Sequence, residues 1–423
     1  MDIDSLIGAV EKRQDELLAL LSDLVRFETP APPARNTDAA QDHIEGLLKG
    51  LGFSTDRWEL HPGDSNVVGT LKGSAPGSHC SLIVNGHVDV AEVHEDEPWE
   101  TGPFDPFIRD GRIFGRGTSD MKGGIAGVLF ALKLLREAGW APKGDLFFEA
   151  VTGEEVGEPG TLECHEHGYK ADYAVVVDTS DLVLQGQGGV ITGWVTVHSK
   201  ATHHDGTRAQ MIHAGGGLKG ASAIEKMMKI IAGLQELERH WAVTKSFPGM
   251  APGSNTINPA VIEGGRHAAF VADECRLWIT VHFLPDERHE DIVAEIEAHL
   301  AAVAAADLWL RENPPVFEWG GRSMIIDRGE IFPALNLDRG HAATQLLSAT
   351  HQAVLAQSAS FGISPSVSDG GWFGHVGIPA VVYGPGTLKE AHAVNESVEI
   401  AQLVDFTKVM LRFMVEWLDQ PKS

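Results

Sequence analysis

The sequence predicts an α/β protein with a second, smaller domain inserted into the first. Three observations carry this. The chain has 423 residues, too long for one ordinary core. Residues 1–187 alternate short, wholly apolar runs with helical patterns, as expected of a sheet covered on both faces. After Gln185-Gly186-Gln187-Gly188-Gly189 the pattern turns to strands of alternating polarity around two helices, and after residue 322 the first type returns.

The elements follow in order. Residues 1–29 set Leu6, Val10, Leu17, Leu20, Leu21, Leu24 and Val25 among charges, an amphipathic helix rather than a signal peptide. Residues 40–50 put Ile44, Leu47 and Leu48 on one helical face. Residues 80–85 (CSLIVN), 145–151 (DLFFEAV) and 172–177 (DYAVVV) are apolar runs bounded by polar turns, hence buried strands. Between them, 124–137 (GIAGVLFALKLLRE) is a helix entered through glycines and left at Gly139. Residues 190–198 (VITGWVTVH) alternate like a half-exposed strand. A helix at 220–240, strands at 256–263 and 274–283, a helix at 289–305 and a strand at 315–319 come next. That order, β-α-β-β-α-β, is the split βαβ sandwich, a complete small domain. A helix at 340–358, a strand at 380–382 and a helix at 401–418 complete the outer domain. The expected division is 1–187 plus 323–423 outside and 188–322 inside.

Composition narrows the function. The formal net charge of −26 argues against nucleic-acid partners and against docking on anionic membranes, both of which need a basic surface. No run of about eighteen uncharged apolar residues occurs, so no membrane span is predicted. Three scattered cysteines, Cys80, Cys164 and Cys275, make neither a disulfide framework nor a thiolate metal site and suit a reducing cytoplasm.

Chemistry-bearing residues sit at the ends of the apolar runs or in Gly-rich turns: His87-Val88-Asp89, Asp120, Glu154-Glu155, Asp178 and His392. Imidazoles and carboxylates without thiolates suit hard-to-borderline divalent cations. His87 and Asp89, two apart after a strand, can face one site, with His87 as ligand and Asp89 accepting the other imidazole N–H. Asp120, in GRGTSDMKGG, has two oxygens with which to bridge two cations, although as sequence it serves equally well as a helix N-cap. Of the neighbours Glu154 and Glu155, one can ligate while the other works on water. Asp181 competes with Asp178 for its role. No GxxxxGK[ST] or GxSxG occurs, and GxGxxG fails at Gly115, Gly186 and Gly384, which argues against a phosphate cradle at those turns and removes the serine nucleophile elbow.

Taken together, HVD, GRGTSDMKGG, GEE, the aspartate of VVVDTSD, SNTINPAVIEGG and AHAVNE resemble the M20 metallopeptidase family, over about residues 15–415. The resemblance implies a dizinc aminopeptidase-like α/β catalytic domain with an inserted ferredoxin-like lid that also dimerises. It implies that His87 and Asp178 hold one zinc, that Glu155 and His392 hold the other, and that Asp120 bridges them. Cobalt or manganese would also suit these ligands. Glu154 would be the general base, Asp89 would orient His87, and His203 (or its neighbour His204) would reach the partner subunit's site. Asn255, His282, Arg208 and Gly386 are the candidate substrate contacts. Two positions depart from the family pattern. Ser199 stands where a glycine is usual, and His282 replaces an arginine that commonly meets a substrate carboxylate, which either argues against α-amino-acid or succinyl substrates or moves the anion contact to Arg208 or Arg276. The stretch HDGTRAQMIHAGGGLKGASAIEK is similar to acetylornithine-deacetylase-like deacylases, formylaminopyrimidine deformylases among them. The function expected is removal of a small acyl group from an N-acyl amine by metal-activated water, in a cytoplasmic homodimer. A dipeptidase or carboxypeptidase with the same metals is the alternative, and a non-catalytic binding homologue is the remote one.

Overall fold

A computed structural model describes residues 2–422. The chain forms two compact units, one of residues 1–187 and 335–423 and the other of residues 188–334.

The first unit is built on an eight-stranded sheet in the order Phe361–Ser364, Leu184–Gln187, Ala380–Val382, Tyr173–Val176, Leu82–His87, Leu146–Val151, Asp64–Leu71, Ser54–His61. The four strands from Ala380–Val382 to Leu146–Val151 are mutually parallel. Consecutive Leu82, Ile83 and Val84 are each 0% exposed, which requires cover on both faces. Helices Gln14–Val25, Lys122–Glu137 and Ile400–Leu418 contribute to the same large core through Leu17, Leu21, Ile125, Leu129, Phe406 and Phe413. Residues 1–29, expected as one helix, form two, Ile3–Lys12 and Gln14–Val25, which meet at Arg13 with φ −116°. Parallel strands end on the same edge, so the residues following Leu82–His87, Leu146–Val151 and Tyr173–Val176 gather there, the usual ligand edge of such a sheet.

The second unit has an antiparallel sheet in the order Thr256–Gly264, Glu274–Phe283, Gly189–His198, Val316–Trp319. In chain order this is 2-3-1-4, the arrangement of a split βαβ sandwich. Helices Ala223–Thr244 and His289–Ala306 bury Met227, Ile230, Leu234, Ile292, Ile296 and Leu300 in its core. The unit ends at Ala334, not at residue 322 as expected from the sequence. Ile331–Phe332 pairs with Ile191 and Val190 on the first strand, which keeps residues 323–334 with the inner unit.

Candidate metal centre

His87 is the last residue of its strand and is 1% exposed. Its Nδ1 lies 2.9 Å from the backbone carbonyl of Asp89. A carbonyl only accepts, so Nδ1 carries a proton, and Nε2 is the nitrogen that faces Asp120 and could serve a cation. The sequence reading gave this orienting task to the Asp89 carboxylate, and the structure corrects it. The strand stops at His87, so the alternation that would put both side chains on one face no longer applies. The Asp89 Oδ1 is 3.8 Å from Nδ1. Its carboxylate instead accepts the backbone N–H groups of Gly153 and Glu155, both at 3.0 Å, and so fixes the turn that carries the two glutamates.

Asp120 lies between the two imidazoles. Its Oδ1 is 3.2 Å from His87 Nε2 and its Oδ2 is 3.3 Å from His392 Nε2. Glu155 approaches His392 Nε2 at 3.1 Å. Single ligand atoms of His87, Asp120 and Glu155 all fall within 4.8 Å of one another. The glycines after Asp120 make this approach possible: a Cβ at Gly124 would sit 1.9 Å from the Val177 carbonyl. The helix start can therefore press against the strand that delivers Asp178. Glu154 and Glu155 open a short 3-10 turn, Glu154–Val156, just past strand Leu146–Val151. Glu154 Oε2 stands 3.9 Å from His87 Nε2. Asp178 is 8% exposed, and its Oδ1 accepts the Thr179 N–H at 2.6 Å.

The electrostatics call for cations. Burial, reinforced by the charge of Asp120, pushes the Asp178 carboxyl up to about 8. Burial also lifts Glu154 well above the ordinary range, and the charges of Glu155, Asp369 and Asp178 add to it against the pull of His87. Contacts with Asp120 and Glu155 raise His392 to about 11 against burial. Burial opposes ionisation of Asp120, but the two imidazoles hold it well below the usual carboxylate range. Like charges crowded in a desolvated site cannot all ionise unless positive charge joins them. Glu155 Oε1 and His87 Nε2 have no hydrogen-bond partner among the described residues. Two imidazoles with carboxylates around orphaned ligand atoms fit divalent metal ions.

The remaining candidates divide between the units. Gly386, at φ +85°, packs so closely that a Cβ would meet Ser119 Oγ at 2.2 Å, and its N–H donates to Gln402 at 2.7 Å. In the second unit His203 pairs with Val271 on a short strand, and its Nε2 has no hydrogen-bond partner among the described residues. The Nδ1 of His204 instead accepts the Gly206 N–H at 3.0 Å. Asn255 is 2% exposed and donates to Glu287 at 2.6 Å. Arg208 is exposed and paired with Glu225, and His282 is exposed on strand Glu274–Phe283. Arg276 lies over the Trp194 ring at 4.4 Å.

Sequence reasoning missed Arg116 and Glu396, which form a fully buried ion pair beside Asp120. It also missed Glu149 and Asp369, buried carboxyls in the same unit. Both Arg116 and Glu396 lie in motifs already singled out, but their pairing joins positions 280 residues apart, and no periodicity signals that.

Comparison with known proteins places the chain. The model of peptidase family M20/M25/M40 matches residues 83–416. The N-formyl-4-amino-5-aminomethyl-2-methylpyrimidine deformylase of Bacillus subtilis is 60% identical over 421 residues, spanning 100% of this chain and 99% of its own length. Its namesake from Halalkalibacterium halodurans is 57% identical over the same shares. Among solved structures, a dinuclear metal-binding M20 peptidase from Bacillus subtilis superposes with a TM-score of 0.66 at 14% identity, covering 97% of this chain and 99% of that one.

Proposed function

The chain belongs to peptidase family M20/M25/M40 and is an amide-bond hydrolase, and we propose that it removes the formyl group from an N-formyl aminopyrimidine of the kind its relatives are named for. The chemistry rests on one observation above all. The two oxygens of Asp120 face two imidazoles at 3.2 and 3.3 Å, the arrangement of a carboxylate that bridges two cations. The choice of substrate rests on identity sustained over the whole chain.

His87 and Asp178 would hold one cation, Glu155 and His392 the other, with Asp120 between them. Zinc is the proposed native ion, and cobalt or manganese also suits this set. When bound, such a pair polarises the amide carbonyl and makes water acidic enough to ionise near neutral pH. Glu154 would take the proton of the attacking water and return it to the leaving amine nitrogen. Its Oε2 stands 3.9 Å from His87 Nε2, close to the proposed cations. Asp89 would hold the backbone of Gly153 and Glu155, and its own carbonyl would keep His87 Nε2 turned inward.

The inner unit would be the lid and dimerisation domain. Ile224 (41% exposed) and Met228 (67%) on helix Ala223–Thr244, with Ile262 (55%) on the edge strand, give it an apolar surface that a second copy would cover. The partner subunit's His203 would then donate a hydrogen bond to the oxyanion, an interaction worth about 3–4 kcal/mol. Asn255, His282, Arg208 and Gly386 would contact the substrate. With His282 in the place of an arginine, the site is suited to an uncharged amine more than to an amino-acid carboxylate. Among the described residues no helix is long and apolar enough to cross a membrane.

The test is a panel of N-formyl, N-acetyl, N-succinyl and dipeptide substrates assayed with the metal-loaded enzyme. The N-formyl aminopyrimidine should exceed the others in kcat/KM by roughly a hundredfold or more. Dipeptide hydrolysis at an equal or higher kcat/KM would overturn the proposal.

A further inference from the structure

We infer that the buried Arg116–Glu396 pair is a clamp that sets the spacing of the two loops supplying Asp120 and His392. The inference rests on the metal centre proposed above. Both side chains are essentially without exposure, 1% for Arg116 and 0% for Glu396, and they meet at 2.9 Å. Each also grips the backbone of a different ligand loop. Glu396 Oε1 accepts the N–H of Ser119 at 2.8 Å and that of Asp120 at 3.0 Å. Arg116 donates to the carbonyl of His392 and to that of Ala393, both at 3.3 Å, and to that of Glu92 at 3.3 Å. The face of Trp99 closes over the guanidinium at 5.2 Å.

The grip acts on a backbone that does not favour its own shape. His392 has φ +59° and Asn395 also +59°, the left-handed region that costs a side-chain-bearing residue energy unless its surroundings hold it there. The planar fork of Arg116 serves neighbouring carbonyls of that loop and an anion at once, which a lysine ammonium cannot reproduce. Neither residue reaches the proposed cations, so both are positioning residues. Through them the two metal-ligating loops share one rigid fixture, and the gap of 3.3 Å between Asp120 Oδ2 and His392 Nε2 follows from it. Groups that orient ligands in this way commonly contribute tenfold to a hundredfold in metal affinity.

The test compares Glu396→Gln, Arg116→Lys and the double variant Arg116→Met/Glu396→Gln, which leaves no buried charge unpaired, with wild type. Zinc affinity is measured on the apo-proteins by competition with a chromophoric chelator, and the apo thermal midpoint is recorded alongside. A control breaks another buried pair, Lys226–Asp307, which lies in the inner unit with its atoms 2.8 Å apart, by Asp307→Asn. The clamp variants should bind zinc about tenfold to a hundredfold more weakly. Added zinc should restore kcat, and KM should be unchanged. The control should lower the midpoint and leave zinc affinity alone. Wild-type zinc affinity in folded clamp variants, or a loss no larger than the control's, overturns the inference. If the single variants do not fold, the double variant decides between the same two results. A wild-type chain that binds no zinc, cobalt or manganese would instead refute the metal centre itself.

Discussion

Replacing Glu149 with Gln should stabilise the protein at alkaline pH and leave it unchanged in acid. Glu149 is 0% exposed on strand Leu146–Val151. Its Oε2 accepts a hydrogen bond from Asn85 at 3.0 Å, while Oε1 has no partner among the described residues. Burial raises its pKa from 4.5 to about 8; the Asn85 bond opposes this and the charge of Asp369 adds to it. Unfolded, the same carboxyl titrates near 4.5. Between those values the folded chain holds a proton that the unfolded chain has released. The contribution to stability is therefore whole below the unfolded pKa and is lost as pH rises through the folded one, at about 1.4 kcal/mol per pH unit. From pH 6 to pH 8 that amounts to about 2–3 kcal/mol. Glutamine keeps the shape and the acceptor facing Asn85 but cannot ionise, so Glu149→Gln should lose this slope. The assay is the difference in thermal midpoint between variant and wild type from pH 5 to 8.5, with metal chelated so that metal binding adds nothing to the slope. Titration of groups that do not interact with Glu149 cancels in that difference. Parallel pH profiles, or a variant less stable than wild type at pH 8, would refute the reasoning.

The remaining expectations concern catalysis. Glu154→Gln should retain both metals and lower kcat on the order of 10²–10⁴-fold, whereas Glu155→Gln should weaken metal binding; elemental analysis beside single-turnover rates separates the two, and the reverse pattern would exchange their roles. His392→Ala should lose metal and activity together, and full occupancy of two metals per chain in that variant would remove His392 from the ligand set. Glu154→Ala and His203→Ala, each nearly inactive alone, should recover about a quarter of wild-type activity when co-expressed. Half of randomly paired dimers are mixed, and half of their sites are whole. Inactive mixed dimers, isolated by two different tags, would rule out a histidine that acts across the interface.

What the sequence discloses depends on whether the determining force is local. Strands such as Leu82–His87 are legible because burial on both faces demands an unbroken apolar run. Hairpin Ser54–His61 with Asp64–Leu71 is not, since its outer strand at the sheet edge sets only Trp58 and Leu60 among Asp56, Arg57 and Glu59. The inner unit's second boundary was missed because Ile331–Phe332 is only two residues long, and pairing, not pattern, assigns it. At the candidate site the acidic and imidazole residues stand out because each follows a recognisable strand or glycine turn. A sequence names side chains, but carbonyls carry no letter. The group that orients His87 proved to be the Asp89 carbonyl, so the Asp89 side chain was free for a different task. The same blindness hides the clamp, since Arg116 and Glu396 act almost wholly on backbone atoms. Loops that supply ligands to the proposed cations cannot rely on their own conformational preferences, and His392 at φ +59° shows how far its loop departs from them. Precision at such a site is therefore expected to come from buried polar groups that never touch the substrate.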